Sequence, residues 1–409
     1  MNIVLEPGAA ALLDELHRAG FGAYAVGGCV RDSLLGLAPH DWDLCTAARP
    51  GQVMELFGED RCIPTGLQHG TVTVKRDGKL YEITTFRTEG RYSDGRHPDS
   101  VAFVPDLRED LARRDFTINA MAYSAEEGLC DPFGGREDLA RGMVRAVGEP
   151  LRRFGEDALR ILRLYRFAAR FGFAIDEATE AAAKQLAAHL DCVSAERIEE
   201  ELNKLLAAPQ PGAYLEPEVL AFVLPELPPE ELTKARRRID ALPAGTEQVS
   251  ARWAALLLPL GETGARKALK RLKCSNARID GAAALVRECG EKTPDTLDKC
   301  DLRLQAKRLL GKYDLHTVRQ LTALWMALAP EEKASFDALR AEAEALTAQG
   351  ACCRISQLAV NGRDLMAAGA APGPGLRRVL EALLEEVITG RLPNEKTELL
   401  AFAAGFSAS

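Results

Sequence analysis

Two aspartates separated by a single residue, Asp41 and Asp43, are the side chains in this sequence best suited to chemistry. Residues i and i+2 of an extended segment point to the same face, so these carboxylates should repel each other unless a cation lies between them. Such a pair can hold Mg²⁺ against a triphosphate while a hydroxyl attacks in line. A surface strand can have the same spacing, so the pair alone leaves both interpretations open.

A glycine pair, Gly27 and Gly28, lies upstream, where a predicted strand meets a predicted helix. Glycines let the backbone approach a phosphate closely, and the first turn of a helix offers free N–H groups. Arg31 would add a bidentate donor. Gly-Gly also occurs in ordinary turns, but a glycine turn followed by an aspartate pair is a more specific sign of a triphosphate and metal site than either feature alone.

The elements that must position these residues are visible in the residue patterns of the first 140 positions. Apolar periodicity and alternation predict a helix over 7–19, a strand over 24–26, a helix over 30–35 and a strand over 41–44.

A β-hairpin is predicted from two β-branched alternating runs, 70–75 and 80–86, joined by Asp77-Gly78. Glu82 lies on its second strand. If that strand neighbours the aspartate pair, Glu82 completes a site of three carboxylates. An exposed strand glutamate is the alternative.

Strand patterns stop after about residue 140, and long segments of helical period follow. We therefore predict an α/β head with a small mixed β-sheet, followed by an all-α remainder. The predicted domains are a catalytic head over 1–140, a helical neck over 141–205, a helical body over 206–310 and a helical tail over 311–409.

The composition excludes several classes of protein. No apolar run approaches the ~18 residues of a membrane span, and the amino terminus lacks the basic region of a signal peptide. None of the ten cysteines forms a CxxC pair, so we expect reduced thiols in a cytoplasmic protein.

Local charge differs from the net charge of −8, which taken alone argues against nucleic-acid binding. Residues 141–170 hold eight arginines against three acids, and residues 265–278 hold six Arg or Lys and no acid. Basic segments of this kind could contact RNA phosphates along one face.

Several stretches together resemble the class II tRNA nucleotidyltransferases, a family with a polymerase-β-like head that includes CCA-adding enzymes and bacterial poly(A) polymerases. They span about 175 residues in the same order, and the stretch from NGRDLM to LPNEKTELL also resembles the tail of CCA-adding enzymes. The stretches are GGCVRDSLLG with DWD, RRDFTINAMAY (113–123), DPFGGREDL (131–139), RFGEDALRILRLYRFAARFGF (153–173) and SAERIEEEL (194–202).

This resemblance implies that Asp41 and Asp43 bind the metal and that Glu82 shares in catalysis. It also implies that Arg114 and Asp115 lie near the nucleotide. A carboxylate accepts a hydrogen bond from a ribose 2′-OH, which deoxyribonucleotides lack, and Asn119 would assist it.

The same resemblance implies base reading by Asp157 and Arg160, which we expect one turn apart on one helix face. A carboxylate accepts from the exocyclic amino group of cytosine or adenine, whereas uracil or guanine would present a carbonyl oxygen to it. Arg163 is a further nucleotide-binding residue, and the helix containing Arg197 should buttress the reader.

Two more regions are assigned to the RNA and the final addition. The polar segment 91–98 resembles the flexible loop that CCA-adding enzymes need for the last A, with Arg91, Tyr92, Asp94 and Arg96 as its candidates. A basic stretch should contact phosphates of the tRNA acceptor arm, although a solvated helix face has the same pattern. Its residues are Arg266, Lys267, Lys270, Arg271 and Lys273.

The predicted function is template-independent addition of C, C and A to the 3′ end of tRNA from CTP and ATP, with release of pyrophosphate. We expect a two-metal Mg²⁺ site that could also accept Mn²⁺, and neither a membrane nor an obligatory protein partner. The segment 64–74 resembles the CCA-adding version and lacks the Gly-Arg-Arg-Phe type of stretch found in poly(A) polymerases. The open alternatives are an A-adding or CC-adding transferase, a poly(A) polymerase, and a non-catalytic RNA-binding protein.

Overall fold

The chain divides into two compact units, Met1–Pro225 and Glu226–Ser409. The computed structural model describes residues 3–90, 100–291 and 301–406. The strands of these residues all lie in the first unit. They are β1 (Ala23–Val26), β2 (Leu44–Thr46), β3 (Cys62–Gly66), β4 (Thr71–Arg76), β5 (Lys79–Thr85), β6 (Arg87–Glu89), β7 (Val101–Phe103), β8 (Ala122–Ser124), β9 (Gly128–Cys130), β10 (Met143–Val144) and β11 (Ala174–Ile175).

Helices accompany the strands in the first unit and make up the regular structure of the second. Those of the first unit are α1 (Pro7–Arg18), α2 (Gly28–Leu34), α3 (Pro50–Phe57), α4 (Leu107–Ala112), α5 (Gly135–Arg141), α6 (Pro150–Glu156), α7 (Leu159–Phe171), α8 (Glu177–Gln185), α9 (Ala195–Leu206) and α10 (Pro217–Val223). Those of the second are α11 (Leu232–Asp240), α12 (Val249–Leu257), α13 (Gly261–Arg271), α14 (Asn276–Glu291), α15 (Leu302–Lys312), α16 (Leu315–Leu328), α17 (Lys333–Ala348), α18 (Gly362–Ala367), α19 (Pro374–Ile388) and α20 (Lys396–Phe406).

A mixed seven-stranded sheet forms the centre of the first unit, in the order β3-β4-β5-β2-β1-β8-β9. Strand β2 pairs antiparallel with β1 and parallel with β5, in the register Leu44↔Ile83. The predicted hairpin is confirmed, since β4 and β5 pair antiparallel around Asp77 and Gly78, whose φ angles are 48° and 76°. Two positive φ angles are the requirement of the tight hairpin turn that follows strand twist.

The predicted strand over 41–44 is wrong at its start, because β2 begins only at Leu44. Strand β1 ends at Val26 and the chain then turns into α2, so residues 41–42 have no neighbouring strand on that side. The backbone of Asp43 keeps one link to the sheet, since Val26 N donates to its carbonyl oxygen at 3.0 Å. The two aspartates therefore lie in the connecting segment directly before β2, at one end of this inner strand.

An α/β head followed by a helical remainder is confirmed, with one correction. Strand signals do not stop at residue 140, because β10 and β11 pair in parallel through Met143↔Ala174 and Val144↔Ile175. Strands of two residues are too short to show an alternating pattern. Of the helices within the described residues, none is long and apolar enough to cross a membrane.

Buried apolar side chains hold these elements in place. Helix α1 buries Leu12, Leu13 and Leu16, spaced as one face of an amphipathic helix. A second cluster packs Tyr24 and Phe86, from β1 and the end of β5, against helix α4. Burying a side chain of this size contributes about 1.5–3 kcal/mol, so the strand ends beside the aspartates are well anchored.

Candidate nucleotide and metal site

The glycine turn is built around a backbone conformation that only glycine adopts readily. Gly27 has φ 77° and ψ −121°, and a Cβ at this position would lie 3.0 Å from Arg114 Nη1. Its N–H donates to the carbonyl of Met121 at 3.1 Å, and its own carbonyl accepts from Arg31 N at 3.0 Å. The absence of a side chain at Gly27 therefore leaves the space that the Arg114 guanidinium approaches.

The carboxylates meet beside this turn. In the parallel register of β2 and β5, Glu82 and Asp43 occupy equivalent positions directly before Leu44↔Ile83. The carboxyl of Asp43 is desolvated by surrounding protein atoms, which raises its pKa; Arg114 opposes this, and the charges of Glu82 and Asp41 raise it further. The side chain of Asp41 is 90% exposed. The strand of Glu82 thus neighbours the aspartates, as the sequence requires for a three-carboxylate grouping.

This grouping suits a cation that is shared with a ligand. Within the described residues, no three His, Cys, Asp or Glu side chains come close enough to enclose a metal ion by themselves. Mg²⁺ is usually held by one or two carboxylates together with substrate phosphates and water, and not by an all-protein cage. Burial raises the pKa of Asp43, and the charges of Glu82 and Asp41 raise it further. A cation bound between these carboxylates would stabilise their ionised forms.

The prediction that Arg31 donates to a phosphate is not supported by its contacts. The residue is 3% exposed, and its guanidinium donates to Asp32 Oδ1 at 2.8 Å and to Asn119 Oδ1 at 2.5 Å. It also lies over the rings of Phe167 and Phe171, at 5.2 and 4.9 Å from their centroids. Arg31 is therefore a buried residue that fixes Asn119.

Both carboxylate oxygens of Asp115 are hydrogen-bonded. Its Oδ1 accepts from Phe116 N at 2.8 Å and from Asn119 Nδ2 at 3.0 Å. Its Oδ2 accepts from Arg163 Nε at 2.9 Å and Nη2 at 2.6 Å. Burial alone would raise the pKa of Asp115, but the charge of Arg163 and the hydrogen bond from Asn119 lower it overall. Asp115, Asn119 and Arg163 are thus brought together as one ionised cluster.

The expectation that Asp157 and Arg160 share one helix face is wrong. Asp157 lies in the break between α6 and α7, with φ −141° and ψ 104°, and its Oδ1 caps α7 by accepting from Leu159 N at 3.1 Å. The buried Arg160 donates instead to the carbonyls of Arg153 and Arg113, at 3.1 and 3.0 Å. The i, i+3 spacing gave no sign of the break.

Helix α9 contacts the segment for which the resemblance predicts base reading, as the predicted buttress requires. Arg197 Nη2 donates to Asp157 Oδ2 at 2.9 Å, and both side chains are largely buried, 21% and 16% exposed. Asp157 is therefore fixed at both of its oxygens, by the start of α7 and by α9.

The arginine-rich segment 141–170 is not a free basic face. Each of its eight arginines is ion-paired with a carboxylate within 4.0 Å, and three of them share Glu156, so the pairing reduces the local excess of positive charge. Five of the eight pairs are local in sequence, and three bring in carboxylates more than 30 residues away, Asp115, Glu201 and Asp32, which a count over a window of sequence could not show. The pairs are Arg141–Glu137, Arg145–Asp138, Arg152–Glu156, Arg153–Glu156, Arg160–Glu156, Arg163–Asp115, Arg166–Glu201 and Arg170–Asp32.

Sequence reasoning missed Asp110, the side chain that orients both arginines of the RRD stretch. It is fully buried, accepts from Arg113 at 3.0 and 2.7 Å, and pairs with Arg114 at 3.4 Å. Burial acts to raise its pKa, but the charges of Arg113 and Arg114 lower it overall. The i, i+4 spacing of Asp110 and Arg114 was the available signal.

The remaining predicted residues fall in two places. The loop candidates Arg91, Tyr92, Asp94 and Arg96 lie outside the described residues. In the second unit, Arg266 pairs with Asp280 at 2.7 Å, and Arg271 binds Glu226 through two nitrogens at 2.6 and 2.8 Å. Lys267, Lys270 and Lys273 are exposed on or just after α13.

Family models match most of the chain in three parts. A poly A polymerase head domain matches residues 23–145, a probable RNA- and SrmB-binding site of polymerase A matches 172–228, and a putative tRNA nucleotidyltransferase domain 2 matches 245–403.

Individual relatives match over nearly the whole chain. The CCA-adding enzyme of Limosilactobacillus fermentum is 38% identical over 397 residues, covering 96% of this chain and 95% of that protein. The CCA-adding enzyme of Geobacillus stearothermophilus is 38% identical over 405 residues, with 96% and 95% covered. The crystal structure of the Bacillus stearothermophilus CCA-adding enzyme with CTP superimposes with a TM-score of 0.81 at 33% identity, covering 99% of this chain and 98% of that one. A Thermotoga maritima CCA-adding enzyme in complex with tRNA shares the fold, with a TM-score of 0.70 at 22% identity and 98% and 96% covered.

Proposed function

This chain belongs to the family of CCA-adding enzymes, and from that premise we propose that it adds C, C and A to the 3′ end of tRNA from CTP and ATP. The 3′-hydroxyl of the RNA attacks the α-phosphorus of the nucleotide, a new phosphodiester bond forms, and pyrophosphate leaves. The observation that carries the proposal is the neighbouring position of Asp43 and Glu82 beside the Gly27 turn. We also propose a cytoplasmic location, since tRNA is the substrate.

The carboxylates Asp41, Asp43 and Glu82 are the proposed catalytic group, with the two aspartates as metal ligands. A bound divalent cation, which we take to be Mg²⁺ in a two-metal site, would neutralise phosphate charge and make the attacking hydroxyl more nucleophilic. Burial raises the pKa of Asp43 and the charges of Glu82 and Asp41 raise it further, and a bound cation would offset both effects, which supports this assignment.

The triphosphate is proposed to lie against Gly27, Gly28 and Arg114. Gly27 has a positive φ and no side chain, and Arg114 Nη1 lies 3.0 Å from the position that a Cβ would occupy there. A guanidinium at the edge of the carboxylates can donate to phosphate oxygens in a fixed geometry. Arg31 contributes indirectly, by holding Asn119 in place.

Sugar and base are proposed to be read by two carboxylates fixed on neighbouring segments. Asp115, held by Asn119 and Arg163, accepts from the ribose 2′-OH. Asp157, held by Arg197, accepts from the amino group of cytosine or adenine. Arg160 donates to the Arg113 carbonyl and so links the two segments. Uracil or guanine would present a carbonyl oxygen in place of the amino group, and Asp157 would then lack a donor.

The RNA is proposed to contact the exposed lysines of α13, and the segment 91–98 to act in the final addition of A. The functional division into head, neck, body and tail at 140, 205 and 310 remains a proposal. Its first boundary lies near the end of the matched head domain at residue 145.

Single-nucleotide incorporation tests the proposal. Purified protein receives Mg²⁺, one labelled nucleotide at a time, and tRNA ending at the discriminator base, at C or at CC. The expected result is C, C and then A, abolished by Asp41→Ala with Asp43→Ala and preserved by a matched removal of two exposed acids, Glu59→Ala with Asp60→Ala.

Other products would identify the alternatives. Arrest after CC, addition of A alone to a CC end, or long A tails would each overturn the proposed product. An absence of incorporation that the double aspartate variant does not change would indicate a non-catalytic RNA-binding protein.

A further inference from the structure

The Asp115 carboxylate has no acceptor site to spare. An ionised carboxylate offers about four lone-pair sites, and Asp115 accepts four hydrogen bonds, from Phe116 N, Asn119 Nδ2 and two nitrogens of Arg163. A ribose hydroxyl can therefore donate to this carboxylate only if one of these donors gives way.

Arg163 is the donor able to yield. The Phe116 N–H belongs to the backbone, and Asn119 is 7% exposed and held from behind by Arg31. The Arg163 side chain is 32% exposed, and it makes two hydrogen bonds to the same Asp115 oxygen. A shift of its guanidinium would release part of that oxygen without disturbing the sheet.

A second buried carboxylate lies close enough to Arg163 to be an alternative ion-pair partner. Glu201, on α9, is 4% exposed, and its Oε1 is 3.8 Å from Arg163 Nη1. Its other oxygen is paired with Arg166 Nε at 2.9 Å. Arg166 in turn lies over the ring of Phe167, at 4.1 Å from the centroid, so the partner of this second oxygen is itself fixed.

We infer that Glu201 is a positioning residue for sugar selection: it draws Arg163 away from Asp115 when a ribonucleotide binds, and so frees the carboxylate to accept the 2′-hydroxyl. Arg163 is thus shared between two carboxylates, and the ribose shifts it towards Glu201. The inference rests on the proposed function through the role of Asp115 and extends it to a residue outside the nucleotide contacts.

The expected effect follows from the removal of the second acceptor. In Glu201→Gln, Arg163 has Asp115 as its one remaining carboxylate partner among these two, so its ion pair with Asp115 is stronger. The 2′-hydroxyl must then compete with this ion pair. We expect the KM for CTP and ATP to rise on the order of tenfold, the effect of weakening one hydrogen bond to a charged group, with kcat close to that of the wild type. The KM for dCTP should change little, so discrimination between CTP and dCTP falls.

A control on the same helix separates this effect from general loss of charge. Glu200 is exposed and pairs with Lys204 at 2.6 Å, so Glu200→Gln should keep the wild-type ratio. A second variant addresses folding, because Glu201→Gln leaves Arg166 without its carboxylate. Glu201→Gln with Arg166→Met removes that unpaired cation and should restore stability while the CTP/dCTP ratio stays low.

The test measures dissociation constants for CTP and dCTP with Mg²⁺ by calorimetry, and then kcat and KM on tRNA lacking its last nucleotides. A CTP/dCTP ratio unchanged in Glu201→Gln, or restored together with stability in the double variant, overturns the inference. Binding of CTP over dCTP by a wild type that adds no nucleotide would overturn the proposed function instead, and the binding ratio of the variants would still decide the role of Glu201.

Discussion

Replacing Gly27 with alanine tests whether the glycine turn sets the position of Arg114. The native conformation, φ 77° and ψ −121°, is one that residues with a Cβ rarely adopt, and forcing it costs about 1–3 kcal/mol. The added Cβ would also lie 3.0 Å from Arg114 Nη1, so the guanidinium must retreat by a few tenths of an ångström. We expect lower stability together with a higher KM for both nucleotides.

Two other glycines provide matched controls. Gly36 has φ 72° and open space around its Cβ position, so Gly36→Ala introduces backbone strain of about 1–2 kcal/mol without touching the site. Gly28 has no positive φ, and its Cβ would meet Arg31 Nη2 at an ordinary 3.6 Å, so Gly28→Ala should leave stability within about 0.5 kcal/mol.

Urea unfolding and steady-state kinetics with CTP and ATP distinguish the two effects of the substitution. A displaced Arg114 should lower kcat/KM of Gly27→Ala by about tenfold or more, equivalent to 1.4 kcal/mol or more, while Gly36→Ala loses stability alone. If Gly27→Ala has the kinetics of Gly36→Ala, the turn does not position Arg114 and the reasoning is refuted.

Three further predictions address the base reader, the buried acid and the RNA surface. Arg197→Met should loosen Asp157, the proposed base reader, and lower the kcat/KM preference for CTP over UTP about tenfold, whereas Lys204→Met on the same helix should leave it unchanged. Asp110→Asn leaves two arginines without their shared charge and should lower the unfolding free energy by about 3–5 kcal/mol at pH 7. Because the folded pKa of Asp110 is depressed, its contribution is present above the unfolded value near 3.9 and is lost as pH falls further, so urea titrations at pH 3 should show a smaller difference from the wild type. Lys267→Ala with Lys270→Ala should reduce the slope of log Kd against log salt for tRNA by about 0.9 per lost phosphate contact, and an unchanged slope would exclude α13 from the RNA surface.

Local patterns predicted the parts of this fold that local interactions determine. The β4–β5 hairpin follows from Asp77-Gly78 between alternating runs, and helix α1 from its apolar face. The burial of Arg31 could not be predicted in this way, because its partner Asn119 lies 88 residues away. The turn at Asp157 was hidden for a different reason: a capping aspartate between two helices has the same spacing as one inside a single helix.

The contacts of residues 113–115 link the three proposed parts of the nucleotide site, which are the base reader Asp157, the sugar reader Asp115 and the phosphate turn at Gly27. Arg160, close in sequence to Asp157, donates to the carbonyl of Arg113, and Asp115 is bound by Arg163 from the same helix as Arg160. Arg114 Nη1 lies 3.0 Å from the position that a Cβ on Gly27 would occupy. A movement of α7 relative to the sheet must therefore shift Asp115, the proposed sugar reader, and Arg114 beside the Gly27 turn together. If a change of preferred base requires Asp157 to move, then Asp115 and the Gly27 turn must move as well, or one of these hydrogen bonds must break. The bond from Arg163 to Asp115 is the one with a second acceptor, Glu201, already nearby, and it is the bond that should yield first.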